Sequence, residues 1–260
     1  MSFNNNEKVR YLVVSKRKFV ALSLCLSAGS ACAGDFMLGV GAAAWKSEYE
    51  GVSGSDELAV YPAISYEGDR FSISGTEADY RVVGDGDSGL SAYISLGMGD
   101  GGYDASDSVV FAGMDDRDAS IDLGVGVEYA FDQGSLNAAI AHDVSGAYKG
   151  LVASASFSAP QKLSETLYLT PSAGFYYRSS DYVDYYYGVL DSEATSDRSA
   201  YEGDDTLTPF VGYELFTALS EHWRISHSAE VRWLGDEITD SPLVDRSTVW
   251  STALNFLYLF

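Results

Sequence analysis

The sequence predicts an all-β fold, a closed antiparallel β-barrel that spans a membrane. Segments of about ten residues alternate apolar with polar side chains, and Gly/Asp/Ser-rich breaks separate them. After the first 33 residues, no apolar run approaches the ~20 residues that a membrane helix needs. The alternative is a soluble β-sandwich, but the alternating segments are longer than the usual ~5–6 residues of soluble strands.

Residues 1–33 have the pattern of an export signal, so the barrel domain is expected to occupy residues 34–260. Five basic residues precede a short apolar run, and Ala31-Cys32-Ala33 offers a cleavage site between small residues. The alternative is a lipoprotein acylated at Cys32, which is disfavoured because Gly29 stands where a large aliphatic residue is expected. Both cysteines, Cys25 and Cys32, lie in this segment, which leaves residues 34–260 without thiols for disulfides or metal sites.

The clearest strand runs from Asp118 to Phe131, where one face is apolar and the other carries small or charged residues. Trp223–Trp233 repeats the pattern and places a tryptophan at each end of its apolar face, as the aromatic girdles of membrane barrels do. The last strand, Val249–Phe260, has an aromatic-rich row at alternate positions. A strand this apolar is stable when it pairs on both sides in a closed barrel and faces lipid.

Eleven strands are visible, whereas bacterial single-chain barrels have an even number. We expect twelve strands, with ten as the second choice. The missing strand is predicted in residues 99–117, where Ser108–Ala112 is apolar enough for a short one. No helical period of useful length is found.

The net charge of the chain limits the classes of partner that it can bind. Residues 34–260 contain 11 basic and 37 acidic residues, a net charge of −26, which argues against nucleic acid as a partner. Several charged residues alternate with apolar ones and are therefore predicted to face the lumen. They are Asp122, Glu128, Glu214, Arg224, Glu230 and Arg232. In so narrow a lumen these charges should pair with one another and brace the interior, although a narrow path for solutes is the alternative.

No catalytic residue, cofactor site or metal site is assigned. His142 and Asp143 are adjacent on a strand and point to opposite faces, so their side chains cannot form a relay. Acidic clusters occur at 85–87, 115–118 and 202–205, but none completes a calcium-loop pattern. We interpret them as solvated loop charge, with divalent ions bridging them to lipopolysaccharide as the alternative.

The break between Arg178 and Thr206 is rich in tyrosine. Two interpretations are open for its Tyr182, Tyr185, Tyr186 and Tyr187. Tyrosines on a loop suit contact with a protein partner, because they are large, stiff and amphipathic. They are equally suited to capping the barrel mouth or to lying at the lipid headgroups.

Short sequence fragments resemble the MltA-interacting protein (MipA)/OmpV family. The fragments are Gly113-Met114 with Arg117-Asp118, Tyr185-Tyr186-Tyr187-Gly188-Val189, Glu193-Ala194, Asp240-Ser241-Pro242-Leu243-Val244 and Tyr258-Leu259-Phe260. The resemblance implies an outer-membrane barrel of a Gram-negative bacterium. It also implies a scaffold that joins a lytic transglycosylase to a murein synthase. By likeness to other outer-membrane barrels, Phe256, Tyr258 and Phe260 are expected to be the assembly signal of the closing strand.

The pattern of strands together with this resemblance implies a non-enzymatic outer-membrane barrel, and the resemblance implies that it acts as a scaffold for peptidoglycan enzymes of the cell envelope. Its expected partners are outer-membrane lipid, lipopolysaccharide and these two enzymes. The alternative function is a narrow channel or a solute-binding barrel.

Overall fold

The computed structural model describes residues 34–52, 57–86, 89–99 and 102–260, so the expected export signal at residues 1–33 lies outside the described residues. The described residues form thirteen strands, two short α-helices and the 3-10 helix Val109–Phe111. The strands are β1 (Gly34–Trp45), β2 (Leu58–Gly68), β3 (Phe71–Ser74), β4 (Glu77–Val83), β5 (Gly89–Met98), β6 (Ile121–Phe131), β7 (Gly134–Asp143), β8 (Leu151–Ser158), β9 (Gln161–Lys162), β10 (Leu167–Arg178), β11 (Thr206–Ala218), β12 (Trp223–Trp233) and β13 (Thr248–Leu259). The helices are α1 (Ser180–Tyr187) and α2 (Asp236–Thr239).

The strands form a closed antiparallel barrel. Each long strand pairs with its neighbours in the chain, and β1 pairs with β13 to close the ring. The short strands β8 and β9 both pair with β10 and together fill one place in the wall. The barrel therefore has twelve strand positions, and the expected count is confirmed.

The position expected for the twelfth strand was wrong. Residues 108–112 contain a 3-10 helix, and the Ser108 hydroxyl caps it by accepting the Val110 N–H at 3.3 Å. The strand that was not recognised from the sequence is β4. It has only seven residues, which alternate between a polar inward row and an apolar outward row, so the apolar row was too short to recognise.

Outside and inside alternate along the strands as expected. On β6, the outward side chains of Leu123, Val125 and Val127 are about half exposed, whereas the inward side chain of Glu128 is buried. Glycines on the inner face admit aromatic rings: the Tyr93 ring lies directly over Gly126, where a Cβ atom would overlap it.

The lipid-facing band has the height of a bilayer core. Trp223 and Trp233 are ten residues apart on the outer face of β12, about 33 Å along a strand. With the ~35–45° tilt of barrel strands, this corresponds to an apolar band of about 25 Å. No helix among the described residues is long and apolar enough to cross a membrane.

The two ends of the barrel differ. At the turn end, the connections 69–70, 84–88, 132–133, 163–166 and 219–222 are short. At the mouth end, five connections are longer: 46–57, 99–120, 144–150, 179–205 and 234–247. The sixth connection on that side, between β3 and β4, is the two-residue turn Gly75-Thr76.

Candidate functional site: a cap across the barrel mouth

The five long connections at the mouth end pack together around one hydrophobic core, and we call this unit the mouth cap. Every one of the five contributes buried side chains. The core consists of Tyr49, Tyr103, Phe111, Met114, Tyr148, Tyr182, Val183, Tyr186, Tyr187, Val189, Ile238 and Leu243. A core shared by all five connections makes the mouth cap one packed unit, in contrast to independent surface loops.

Helix α1 supplies the largest part of this core. Its buried residues Tyr182, Val183, Tyr186 and Tyr187 recur at helical spacing and so lie on one face. Sequence reasoning missed the helix because eight residues with several tyrosines carry little helix propensity. Tertiary packing stabilises it: the Tyr148 ring meets the Tyr182 ring edge-on at 4.9 Å.

Aromatic stacking joins the connections that are far apart in sequence. The Tyr103 and Phe111 rings stack at 3.9 Å between centroids, and Tyr49 contacts both of them edge-on. Tyr49 also stacks on Tyr187 of α1 at 5.5 Å. Such pairs add about 0.5–1.5 kcal/mol each beyond the area they bury.

A buried ion pair, Arg117 with Glu193, links two connections, and we call it the latch. The Arg117 Nη2 donates to both carboxylate oxygens of Glu193 at 2.9 and 3.0 Å, and the two side chains are 7% and 3% exposed. The remaining Arg117 donors bind the carbonyls of Tyr185 and Asp115, both at 2.8 Å. The rings of Tyr103 and Tyr185 lie 5.8 and 5.7 Å from the guanidinium carbon.

The latch carboxylate is well suited to remain ionised. Burial alone would raise the pKa of Glu193. The N–H groups of Asp115 and Leu190 and the Arg117 guanidinium outweigh burial, and the pKa is lowered below its ordinary value. The pKa of Tyr103 is instead raised to about 12, mainly because burial disfavours the phenolate.

Further hydrogen bonds tie the cap together. Arg198 donates to the carbonyls of Val110, Ala112 and Glu193. Other side-chain hydrogen bonds join two different connections. Among them are those from Tyr49 to the Tyr186 carbonyl, from Tyr186 to the Asp118 carbonyl, from Tyr187 to the Glu48 carboxylate and from Ser241 to the Tyr187 carbonyl.

The sequence fragments that carry the family resemblance converge on the mouth cap. Four of the five fragments lie in it, although they are distant in sequence. They supply both latch residues, two of the four buried residues of α1 (Tyr186 and Tyr187), and Ser241 and Leu243. The latch itself was not predicted; its signal was present, since Arg117 and Glu193 each belong to a fragment that was singled out.

The structure places three of the four predicted loop tyrosines inside the cap. Tyr182, Tyr186 and Tyr187 are at most 4% exposed, whereas Tyr185 is partly buried. Buried rings have no surface to offer a partner, so the partner-surface interpretation does not fit these three. Their arrangement matches the other interpretation, a cap on the barrel mouth.

The six predicted lumen charges all alternate with outward apolar residues, and two of them pair with each other. Glu230 and Arg232 form an ion pair at 3.5 Å, and Tyr176 donates to Glu230. Asp122 accepts from the cap hydroxyl of Tyr148 at 3.0 Å. Arg224 donates to the turn-end carbonyls of residues 220 and 223. Glu128 is buried and Glu214 partly buried on the inner wall.

The closing-strand residues Phe256, Tyr258 and Phe260 lie on the outer side of the barrel at the turn end. Phe256 stacks on the Trp223 ring at 4.5 Å, and Phe260 contacts Phe36 at 5.6 Å. They form part of the aromatic girdle there.

In the described part of the chain, the side chains considered for catalysis or metal binding lie apart from one another. His142 is exposed and Asp143 buried, on opposite faces of β7, and Asp143 accepts from the turn at residues 145–149. Within the described ranges, no group of three His, Cys, Asp or Glu residues is arranged to hold a metal ion.

Comparison with known proteins gives a consistent result. The family model of the MltA-interacting protein MipA matches residues 38–260. The outer membrane protein Omp26La of Vibrio anguillarum is 32% identical over 211 residues, which cover 79% of this chain and 80% of that protein. OmpV of Vibrio cholerae is 32% identical over 76% of each chain. The MltA-interacting protein of Escherichia coli is 29% identical over 95% of this chain and all of that protein.

Solved structures are similar to this chain in fold but not in sequence. An anion-selective porin from Comamonas acidovorans covers 88% of this chain and 99% of its own, with 7% identity and a TM-score of 0.41.

Proposed function

Because the chain belongs to the family of the MltA-interacting protein MipA and is an outer-membrane β-barrel, we propose that it is a non-enzymatic scaffold for murein enzymes. The scaffold would bring a lytic transglycosylase together with a murein synthase at the membrane. The relative named MltA-interacting protein, which aligns over its full length, supports this proposal.

The observation that carries the proposal is the mouth cap. A barrel built for diffusion leaves its mouth open, whereas here five connections share a buried core and a buried ion pair across the mouth. So much ordered structure across the mouth favours a barrel that serves as a platform rather than a barrel that forms a wide pore.

The turn end is the proposed docking side. In outer-membrane barrels the short turns face the periplasm and the long loops face outward. Murein enzymes act in the periplasm, so they would meet the exposed turns at 132–133, 163–166 and 219–222. The mouth cap would then face the lipopolysaccharide leaflet, where its acidic loops can meet bridging divalent ions.

Site-specific photo-crosslinking in living cells tests this proposal. A photoreactive amino acid at Gln133, Glu165 or Glu221 probes the turn end, and the same residue at Asp116 or Asp197, both exposed in the mouth cap, is the control. We expect a lytic transglycosylase to be captured from the turn-end positions only. Capture from the cap alone, or no capture from any turn, would count against the scaffold.

The alternative, a narrow channel, is favoured by one observation. Inward-facing Ser154, Ser156 and Ser172 remain partly exposed, so part of the lumen beneath the cap is accessible to water. Planar-bilayer recordings distinguish the two functions: steady conductance by the intact chain would favour transport, and silence would favour the platform.

A further inference from the structure

We propose that a cavity between the start of β11 and helix α2 binds a primary ammonium group, carried by a soluble amine or by a lipid headgroup. The proposal rests on the residues that line the cavity and on a buried hydroxyl that faces it. It is independent of the scaffold function.

The cavity has a volume of about 410 Å³ and is acidic. The residues that line it are Asp205, Thr206, Leu207, Gly235, Asp236 and Glu237. Three of them carry carboxylates and none is basic, and these carboxylates form no ion pair with any described residue. A negatively charged cavity without its own counter-ion attracts a cation.

A buried polar side chain also faces this cavity. Thr206 is only 6% exposed, yet its hydroxyl has no hydrogen-bond partner among the described residues. Its Oγ1 lies over Gly235, where a Cβ atom would overlap it, so the glycine keeps open the space in front of this oxygen. A buried hydroxyl without a partner is unfavourable, and a ligand that donates a hydrogen bond would satisfy it.

The Leu207 carbonyl is a second acceptor directed at the same space. Its oxygen lies 2.6 Å from the position that a Cβ atom of Gly235 would occupy. β11 pairs with β12 only from Phe210 onward, so among the described residues no strand pairs with Leu207 on this side. Two oxygen acceptors therefore converge on Gly235.

Glu237 supplies a carboxylate whose orientation is fixed. Its Oε2 accepts the Asp204 N–H at 3.0 Å and the Tyr201 hydroxyl at 3.4 Å. These two bonds hold the side chain in place and leave Oε1 able to accept from a ligand. Asp205 and Asp236 line the cavity as exposed residues and add negative charge.

A primary ammonium group matches these acceptors better than a metal ion does. It carries one positive charge and three N–H donors, which a carboxylate, a hydroxyl and a carbonyl can accept. Across the described ranges, no three acidic or histidine side chains are arranged to hold a metal ion. A divalent ion would therefore lack the oxygen ligands that it requires.

The cavity lies beside the mouth-end aromatic girdle, at the level of the lipid headgroups. Leu207, which lines it, and Trp233, two residues before Gly235, are outward side chains with 58% and 44% exposure. Aromatic girdles mark the boundary between hydrocarbon and headgroups. An amine on a lipid headgroup and an amine in the surrounding water therefore both reach this level.

Equilibrium dialysis of radiolabelled cadaverine, a soluble diamine, tests the site on the folded full-length barrel in phosphatidylcholine nanodiscs. We expect saturable binding of one equivalent. Gly235→Ala should weaken it at least about tenfold, because the added Cβ fills the space in front of the two acceptors, while the backbone φ of −73° suits alanine. Thr206→Val keeps the shape but removes the hydroxyl, and it should weaken binding at least about threefold.

A matched pair of variants separates the site from general charge. Asp236→Asn should weaken binding more than Asp197→Asn, which removes the same charge from an exposed position of the mouth cap outside the cavity. Tetramethylammonium carries the charge but has no N–H, so it should bind at least about tenfold more weakly than cadaverine.

The lipid composition identifies the source of the amine. If phosphatidylethanolamine in the nanodisc competes with cadaverine, the site takes a lipid headgroup, and if it does not compete, the site takes a soluble amine. Binding that does not saturate, that is unchanged in both Gly235→Ala and Thr206→Val, or that falls as much in Asp197→Asn as in Asp236→Asn would overturn the proposal.

Discussion

The latch gives the sharpest quantitative prediction. Glu193→Gln keeps the size of the side chain but removes its charge, so Arg117 is left as a buried cation without its counter-ion. The Gln NH₂ group would also face an N–H donor, since Glu193 accepts bonds from Asp115, Leu190 and Arg117. Breaking a buried ion pair by removing one partner costs about 3–5 kcal/mol.

That energy should appear as local opening of the mouth cap. A loss of ~3 kcal/mol corresponds to roughly 150-fold faster exchange, because 1.36 kcal/mol is one decade. Hydrogen exchange with mass spectrometry on the peptide that covers α1 measures it, and the β6 amides serve as an internal reference.

A matched control exists in the same cap. Asp245 and Arg246 also form an ion pair, but their side chains are 38% and 22% exposed. Asp245→Asn should therefore change α1 exchange by a factor that corresponds to less than ~1 kcal/mol. If Glu193→Gln accelerates α1 exchange no more than Asp245→Asn does, the latch does not stabilise the cap and our reasoning is wrong.

Three further perturbations have defined outcomes. The pKa of Glu193 in the folded chain is lowered from its ordinary 4.5. The stability that the ionised carboxylate contributes is therefore present above pH 4.5 and is lost as the pH falls through the folded pKa. Protection of the α1 amides should decline in acid, and protection that does not change with pH would contradict this. Tyr187→Phe removes the 2.7 Å bond to Glu48 and should cost about 1–3 kcal/mol in denaturant unfolding, and an unchanged midpoint would argue against that bond. Gly126→Ala should displace the Tyr93 ring and destabilise the barrel by about 1–3 kcal/mol, measured as a lower melting temperature, whereas an unchanged melting temperature would show that the ring moves freely.

The barrel was predictable because its rule is local. Each lipid-facing residue is two positions from the next, so the rows on β6, β12 and β13 could be identified without knowing their partners. The rule failed at β4, where seven residues give too few repeats, and at residues 108–112, where apolar residues serve the cap instead of the wall.

The mouth cap was only partly predictable because its contacts are non-local. Arg117 and Glu193 are 76 residues apart, and neither residue belongs to a periodic pattern that would indicate its partner. Tyr182, Tyr186 and Tyr187 could be suspected of capping the mouth, but composition alone could not distinguish a buried cluster from an exposed contact surface.

A core shared by five connections restricts how the mouth end of the barrel can vary in evolution. In a barrel with separate loops, an insertion in one loop leaves the others unchanged. Here a change of length between residues 189 and 198 would shift Glu193 and Arg198, and with them the segments that those two side chains hold. Insertions such as epitope tags should therefore be tolerated better at the tight turn of residues 132–133 than within any of the five connections that share the core.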